Sequence, residues 1–286
     1  MPRKSREILI TGSSGFVGSR TVNKFKRLGF KTRLFQGNIS RLTDWKRNLK
    51  GGEIVLHLAA VKTETDKDFE VNTKGTEILF KAAQKSGKLP QKVVLASSQA
   101  VYLGCKPPFK EGMVPKPTTI YGKSKLKAEK VAQGWSKRLG LLLVILRYSG
   151  VLGPGVREKS KMSKPLFAWT KAALKNKPIK VFQDGNQTRD FVHVDDVVSA
   201  NILAIKSLDE GIYNVGGGKK IKLIDLANLV KKATQSQSEI LIVGGQPSLA
   251  DPKHLFSDIQ KLERCGWRAK KRVGQAVAEF AKEFRF

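Results

Sequence analysis

The chain has 286 residues, 40% hydrophobic and 8% aromatic, enough for a sizeable core, which excludes generic disorder, collagen-like and coiled-coil classes. Lys and Arg number 54 against 24 Asp and Glu, a formal net charge of +30; such a field attracts nucleotides, nucleic acid and acidic surfaces without saying anything about fold. The longest wholly apolar run, Leu141–Leu146, is far short of the ~20 residues of a membrane span, no apolar signal stretch follows the charged amino terminus, and Cys105 and Cys265 make no disulfide framework, so a soluble, cytoplasmic protein is expected.

In chain order, strands alternate with helical patterns. Residues 7–11 (EILIT) form a short apolar strand, 12–18 are glycine-rich, and 16–28 read as a helix closed by Gly29. A second strand follows at 31–35 and a third at 53–60 (EIVLHLAA). Helices at 68–86 and 121–138 bracket a strand at 92–97, and 141–148 (LLLVILRY) is the most continuous apolar strand. Runs buried on both faces and alternating with helices belong to a parallel sheet, so an α/β, Rossmann-type doubly wound architecture is expected. Past Gly153-Pro154-Gly155 the pattern loosens into helices at 164–176 and 195–207, a short strand at 191–194 and two further helices. The expected division is a nucleotide domain at 1–150 plus about 191–209, with a smaller α/β substrate lobe at about 151–190 and 210–286.

Thr11-Gly12-Ser13-Ser14-Gly15-Phe16-Val17-Gly18 joins the first strand to the first helix. Glycines let backbone approach a pyrophosphate, and a helix amino terminus offers free N–H groups and partial positive charge. A tight turn without ligand could use the same glycines, but in this strand–helix setting the motif predicts dinucleotide binding. The acid that commonly holds a ribose hydroxyl at the end of the second strand is missing: no acid lies between Glu7 and Asp44. Gln36 is near the expected place, with Lys31, Arg33 and Arg41 around it. Those cations suit a 2′-phosphate, so NADP stays open beside NAD. The stretch between the second and third strands is also short, as if one βα unit were trimmed.

Tyr121 and Lys125 stand at i and i+4, on one helix face. A free Tyr has a pKa near ~10, too high for a base at neutral pH, and a neighbouring ammonium lowers it into a usable range. Ser97-Ser98-Gln99 ends a strand at the carboxyl edge of the sheet, where such folds bind ligands.

Together these residues resemble the extended branch of the short-chain dehydrogenase/reductase superfamily, the nucleotide-sugar epimerase/dehydratase family. The resemblance runs from about Ile8 to about Trp267. It implies a catalytic set of Ser98, Tyr121 and Lys125. It implies cofactor contacts from Gly12, Ser14, Gly15, Phe16, Val17, Gly18, Gln36, Leu58, Ala59, Ala60, Tyr121, Lys125 and Tyr148. Substrate contacts would come from Ser98, Gln99 and Arg189, the last toward a diphosphate. Asn72 matches a characteristic helix position, His193 is read as structural, and Asp195 and Asp196 as helix N-caps. No metal is expected. Gln99 and Ala100 stand where dehydratases of the family carry acid beside the catalytic Ser/Thr, which argues against sugar dehydration. Ser248 stands near where a later phosphate-binding Arg is expected.

The expected function is a nucleotide-sugar epimerase acting through a 4-keto sugar with bound NAD. The alternatives are an NAD(P)H-dependent keto-sugar or carbonyl reductase, and a non-catalytic RNA-binding relative suggested by the charge. A homodimer is expected, without a membrane partner.

Overall fold

A computed structural model describes residues 7–61, 65–158, 163–245 and 252–284; Ser248 lies outside them. The chain opens with β1 (Ile8–Thr11), α1 (Phe16–Arg27), β2 (Thr32–Leu34), α2 (Leu42–Asn48), β3 (Ile54–His57), α3 (Asp66–Ser86) and β4 (Lys92–Ser98). A 3-10 turn at Gln99–Tyr102 precedes α4 (Ile120–Leu139), β5 (Leu142–Tyr148), β6 (Gly150–Leu152), α5 (Lys164–Leu174), β7 (Ile179–Val181), β8 (Thr188–His193) and α6 (Val194–Lys206). β9 (Gly211–Val215), β10 (Lys220–Lys222), α7 (Leu223–Thr234), β11 (Ile240–Ile242), α8 (Gln260–Arg264) and α9 (Val273–Lys282) complete it.

The chain divides into two compact units. The first holds residues 7–101, 119–147 and 198–213 of those described, the second 102–118, 148–197 and 214–284. Segment 102–118 groups with the second unit because its backbone is bonded there: Phe109 N–H donates to the Phe256 carbonyl at 2.8 Å, and Asn214 Nδ2 donates to the Phe109 carbonyl at 2.9 Å.

The first unit is built on a sheet of order β2-β1-β3-β4-β5-β9, with β1, β2, β3 and β4 parallel. β1 and β3 are buried along their whole length, which is why they read as continuous apolar runs. The helices close a core of Leu9, Val55, Leu79, Phe80, Val93 and Ile145. In the common dinucleotide-binding order a further strand lies outside the second one. Here β2 is the edge, and the seven-residue α2 takes the place of the trimmed βα unit. Its Trp45 is fully buried and packs on Phe35. β2 is only three residues long and flanked by cations, two devices that protect an exposed edge.

Inside this unit Arg147 and Glu129 form an ion pair with side chains 2% and 1% exposed. Arg147 Nε donates to Glu129 Oε1 at 2.9 Å, and the Ser97 hydroxyl donates to the same oxygen. One carboxylate thereby joins β4, α4 and β5.

The second unit holds a three-stranded sheet, β10-β8-β6, and a parallel pair, β11-β7. α5, α7 and α9 pack on them around Leu166, Trp169, Phe191, Leu226, Val277 and Phe280. β6, β7, β10 and β11 were not expected from the sequence: each has three residues, too short for a period of two to show. Asp195 and Asp196 lie in the first turn of α6 and are not its N-caps. Asp196 Oδ2 accepts the Lys271 backbone N–H at 2.9 Å, and Asp195 pairs with the Lys271 ammonium at 3.1 Å. The His193 side chain is fully buried between Glu279 and the Asp195 amide.

Candidate active site

The glycine-rich turn is shaped by backbone contacts that no side chain could share. Gly12 has φ +67°, and a Cβ there would stand 2.7 Å from the Ala59 nitrogen. A Cβ on Gly18 would stand 2.0 Å from the Gly12 carbonyl oxygen. The turn closes on itself, Gly15 N–H donating to the Gly12 carbonyl at 3.0 Å. α1 then starts from Gly15 with no side-chain cap and no acid in its first turn. Its first amides and the positive end of its dipole therefore face outward, a fit for an anionic pyrophosphate. Ser14 is exposed, and Phe16 and Val17 are half-buried.

Behind the turn, β1 is strapped to the end of β3. The Thr11 hydroxyl accepts the Ala59 N–H at 3.1 Å and lies 2.8 Å from His57 Nδ1. Burial, with the Lys125 charge nearby, pushes the His57 pKa down to about 3, so the ring is neutral in the folded protein. Unfolding frees it to protonate near ~6.5. Its stabilising contribution is therefore complete above the unfolded pKa and is lost as pH falls through the folded one. Between pH ~7 and ~3.5 this residue should remove about 4 kcal/mol of unfolding free energy. His57→Asn, which keeps a hydrogen-bonding partner for Thr11, should show a correspondingly smaller loss in urea unfolding over the same pH range.

Leu58 and Ala59 are half-buried and Ala60 is exposed. Asn72, on α3, holds the segment that follows: its side-chain amide makes two hydrogen bonds with the backbone of Val61, at 2.8 and 3.0 Å. The same amide donates to the Ser124 hydroxyl at 3.0 Å, and Ser124 donates to the Tyr121 carbonyl at 2.8 Å. Asn72 thus ties the end of β3 to the first turn of α4.

α4 begins at a Thr119 cap, whose hydroxyl accepts the Gly122 N–H at 3.0 Å, so Tyr121 falls in the first turn. Tyr121 is half-buried and hydrogen-bonded to the Ser98 side chain at the end of β4. Burial pushes its phenol up to about 12, against the pull of the Ser98 hydrogen bond. Lys125, one turn on, is buried, and its ammonium donates to the Ala96 carbonyl at 2.6 Å. The structure therefore gathers Ser98, Tyr121 and Lys125 at the end of β4, in the unit that carries the glycine turn. A hydroxyl pair backed by a fixed cation can accept a proton from a substrate alcohol and stabilise the resulting oxygen.

Gln36 is exposed after β2, with its backbone clamped by Asn48: Gln36 N–H donates to Asn48 Oδ1 at 3.0 Å, and Asn48 Nδ2 donates to the Gln36 carbonyl at 2.8 Å. The acid absent from the strand end reappears as Asp44 on α2, turned toward the loop backbone. It accepts the Asn38 N–H at 2.8 Å and pairs with Arg47 at 2.6 Å. The Asn38 bond, helped by Arg47 and Arg41, holds its carboxyl below the usual range. Arg33 is no companion to Gln36. Its guanidinium reaches Glu7 at 2.6 Å and the Asn48 carbonyl at 2.8 Å, so it does not offer itself to a 2′-phosphate.

Gln99 is buried in the 3-10 turn. Tyr148 and Arg189, both buried, belong to the second unit. Arg189 Nη1 donates to the carbonyls of Thr188 at 2.9 Å and Lys253 at 3.3 Å. Asp190 is committed to the Ser149 hydroxyl and the Gly217 N–H, both at 2.8 Å, and burial pushes its carboxyl up to about 6. Sequence reasoning missed Thr11 and His57 as supports of the site; Phe182, just past β7, is exposed to 66%. Their only local signals were a Thr ahead of the first glycine and an apolar run ending in a polar turn.

The model of the NAD dependent epimerase/dehydratase family matches residues 8–216. A Methanocaldococcus jannaschii protein provisionally named a UDP-glucose 4-epimerase is 30% identical over 289 residues, 91% of this chain and 92% of its own. Among solved structures, the UDP-glucose 4-epimerase of Thermotoga maritima with UDP-glucose is 26% identical and superposes with a TM-score of 0.86 over 98% of both chains. The Thermus thermophilus UDP-glucose 4-epimerase in complex with NAD is 26% identical, with a TM-score of 0.84 over 98% of this chain and 99% of its own.

Proposed function

The chain belongs to the NAD dependent epimerase/dehydratase family, and on that premise we propose that it is an NAD-dependent nucleotide-sugar 4-epimerase. The observation that carries the reading is the Ser98–Tyr121 hydrogen bond with buried Lys125 one turn along the same helix. NAD bound on the glycine turn would take the hydride from the sugar C4 and return it to the other face. Tyr121 removes the proton of the sugar 4-hydroxyl and gives it back. The Ser98 hydroxyl hydrogen-bonds the same oxygen while it is a ketone. Lys125, fixed by Ala96, favours the Tyr121 phenolate and is within the same turn to hold a ribose hydroxyl.

The residues fit the cofactor. The uncapped start of α1, reached through the tight turn of Gly12, Gly15 and Gly18, would accept the pyrophosphate, with Ser14, Phe16 and Val17 beside it. We assign Leu58, Ala59 and Ala60 to its border, Gln36 to the adenosine ribose and Tyr148 to the nicotinamide side. Gln99 and Arg189 are proposed for the substrate, Arg189 for the diphosphate, because a guanidinium suits phosphate oxygens. Phe182 offers an exposed aromatic face for the nucleoside base. A homodimer in the cytoplasm completes the proposal; Cys105 and Cys265 are both free thiols, as a reducing compartment leaves them.

The test is proton NMR of UDP- and dTDP-hexoses incubated with the protein. Appearance of the C4 epimer without net change in NADH absorbance is the expected result. Stoichiometric NAD(P)H oxidation would replace the proposal with a reductase, and no conversion across the panel would remove it.

A further inference from the structure

The turn that follows β2 is pinned to α2 and offers no free carboxylate. Gln36 is bonded through both its backbone groups to the Asn48 side chain. The Asn38 N–H donates to Asp44 Oδ2 at 2.8 Å. Asn38 in turn accepts the Ser40 N–H on its side chain at 2.8 Å and the Arg41 N–H on its carbonyl at 3.0 Å. Residues 36–41 are thereby fixed at both ends. Asp44 is buried, and its two carboxylate oxygens are taken by Asn38 and Arg47. The other acids of residues 7–61 are Glu7 and Glu53. They stand directly ahead of β1 and β3, at the amino edge of the parallel sheet, whereas Gln36 follows the carboxyl end of β2. Gln36 and Arg41 are both exposed. Among the described residues the Gln36 amide makes one long bond, 3.4 Å to the Leu34 carbonyl. The Arg41 guanidinium makes no ion pair or hydrogen bond among them, and its field reaches Asp44.

We propose that the adenosine end of the cofactor site accepts a 2′-phosphate, with Gln36 and Arg41 as its partners, so that the site takes NADP(H) as well as NAD(H); this rests on the reading of the glycine turn as the dinucleotide site. An acid at the end of the second strand selects NAD in two ways. It hydrogen-bonds the ribose 2′-hydroxyl, and it sets a like charge against any phosphate there. Gln36 keeps the hydrogen bonding and drops the charge: its amide accepts from a hydroxyl or donates to a phosphate oxygen. Asp44 cannot act in its place, because both of its oxygens serve the turn itself. A phosphate also needs a cation, and a guanidinium suits its oxygens. Arg33 is given to Glu7 and the Asn48 carbonyl, which leaves Arg41 as the free guanidinium of this turn.

The test is isothermal titration calorimetry of the full chain, freed of resident nucleotide, with NADH and with NADPH. Wild type should bind NADPH no more than about tenfold more weakly than NADH. Gln36→Glu, which puts an acid at the strand end, should weaken NADPH at least about tenfold relative to NADH. Arg41→Gln should weaken NADPH at least about threefold and leave NADH within about twofold. Lys46→Gln removes the same charge from another exposed position, on α2, and should leave both within about twofold. All three positions are exposed, and thermal unfolding matched to wild type guards against a folding defect. Adenosine 2′,5′-bisphosphate against adenosine 5′-phosphate should follow the same order, since the pair differs by the 2′-phosphate alone. A wild-type preference for NADH of more than about tenfold overturns the proposal. So does a loss of NADPH affinity in K46Q equal to that in R41Q, which would make the effect one of general charge. Binding of neither dinucleotide would remove the reading of the glycine turn, and this proposal with it.

Discussion

Tyr121→Phe should lower kcat by about two to four orders of magnitude, the usual worth of a positioned acid–base group, while leaving the fold and NAD affinity intact. The substitution removes only the hydroxyl that Ser98 engages. Burial pushes that phenol up to about 12, too weak an acid to serve as phenolate at neutral pH. A base there must borrow stabilisation from a nearby cation, and Lys125, held at 2.6 Å by the Ala96 carbonyl, is the one the helix supplies. Lys125→Met should therefore do more than reduce the rate. The ascending limb of the pH–kcat profile should move to higher pH, because the phenolate loses its cation. A purely structural lysine would lower the rate without moving the limb. Ser98→Ala should fall between, keeping the base and losing one hydrogen bond to the developing ketone. Rates measured by NMR of the epimerised sugar, with bound NAD quantified separately, distinguish these outcomes.

Glu129→Ala should destabilise the protein by about 3–5 kcal/mol, because it leaves a buried guanidinium without its carboxylate. Arg147 is 2% exposed on its side chain, so water cannot compensate it in place. The Ser97 hydroxyl loses its acceptor as well. The loss should appear in the midpoint of urea unfolding with an unchanged slope. The double variant E129M/R147M tests the cause. Replacing both charges with apolar side chains of similar length removes the desolvation penalty of each, so most of the lost stability should return. If the double variant were as unstable as E129A, shape and not charge would be what the pair contributes. Because Glu129 lies one turn beyond Lys125 on α4, a shift of that helix would also show as reduced turnover at temperatures where the protein is still folded.

The comparison of α2 with α4 shows where sequence reading succeeds. α4 has 20 residues, a Thr119 cap and a left-handed Gly140 at its end, all local signals, and its Tyr121–Lys125 spacing needs no tertiary information to be placed on one face. α2 has seven residues and too little periodicity to register, so the segment after β2 reads only as a shortened connection. Its effect on the site is large nonetheless, since Asp44 and Asn48 fix the loop that presents Gln36. The same limit applies to Arg33, which stands beside Gln36 in the sequence but is drawn to Glu7.

By itself the sequence determined the alternation of strands and helices, the glycine turn and the helix that carries Tyr121 and Lys125, because each depends on residues within one or two turns of each other. The tertiary structure alone decided which groups support them: Thr11 with His57 and Ala59, Asn72 with Val61 and Ser124, Lys125 with Ala96, Glu129 with Arg147. Most of these partners are separated by tens of residues and meet because parallel strands set their ends side by side. Strand order is a property of the packed sheet, and hydrophobic periodicity, which records only burial, holds no record of it.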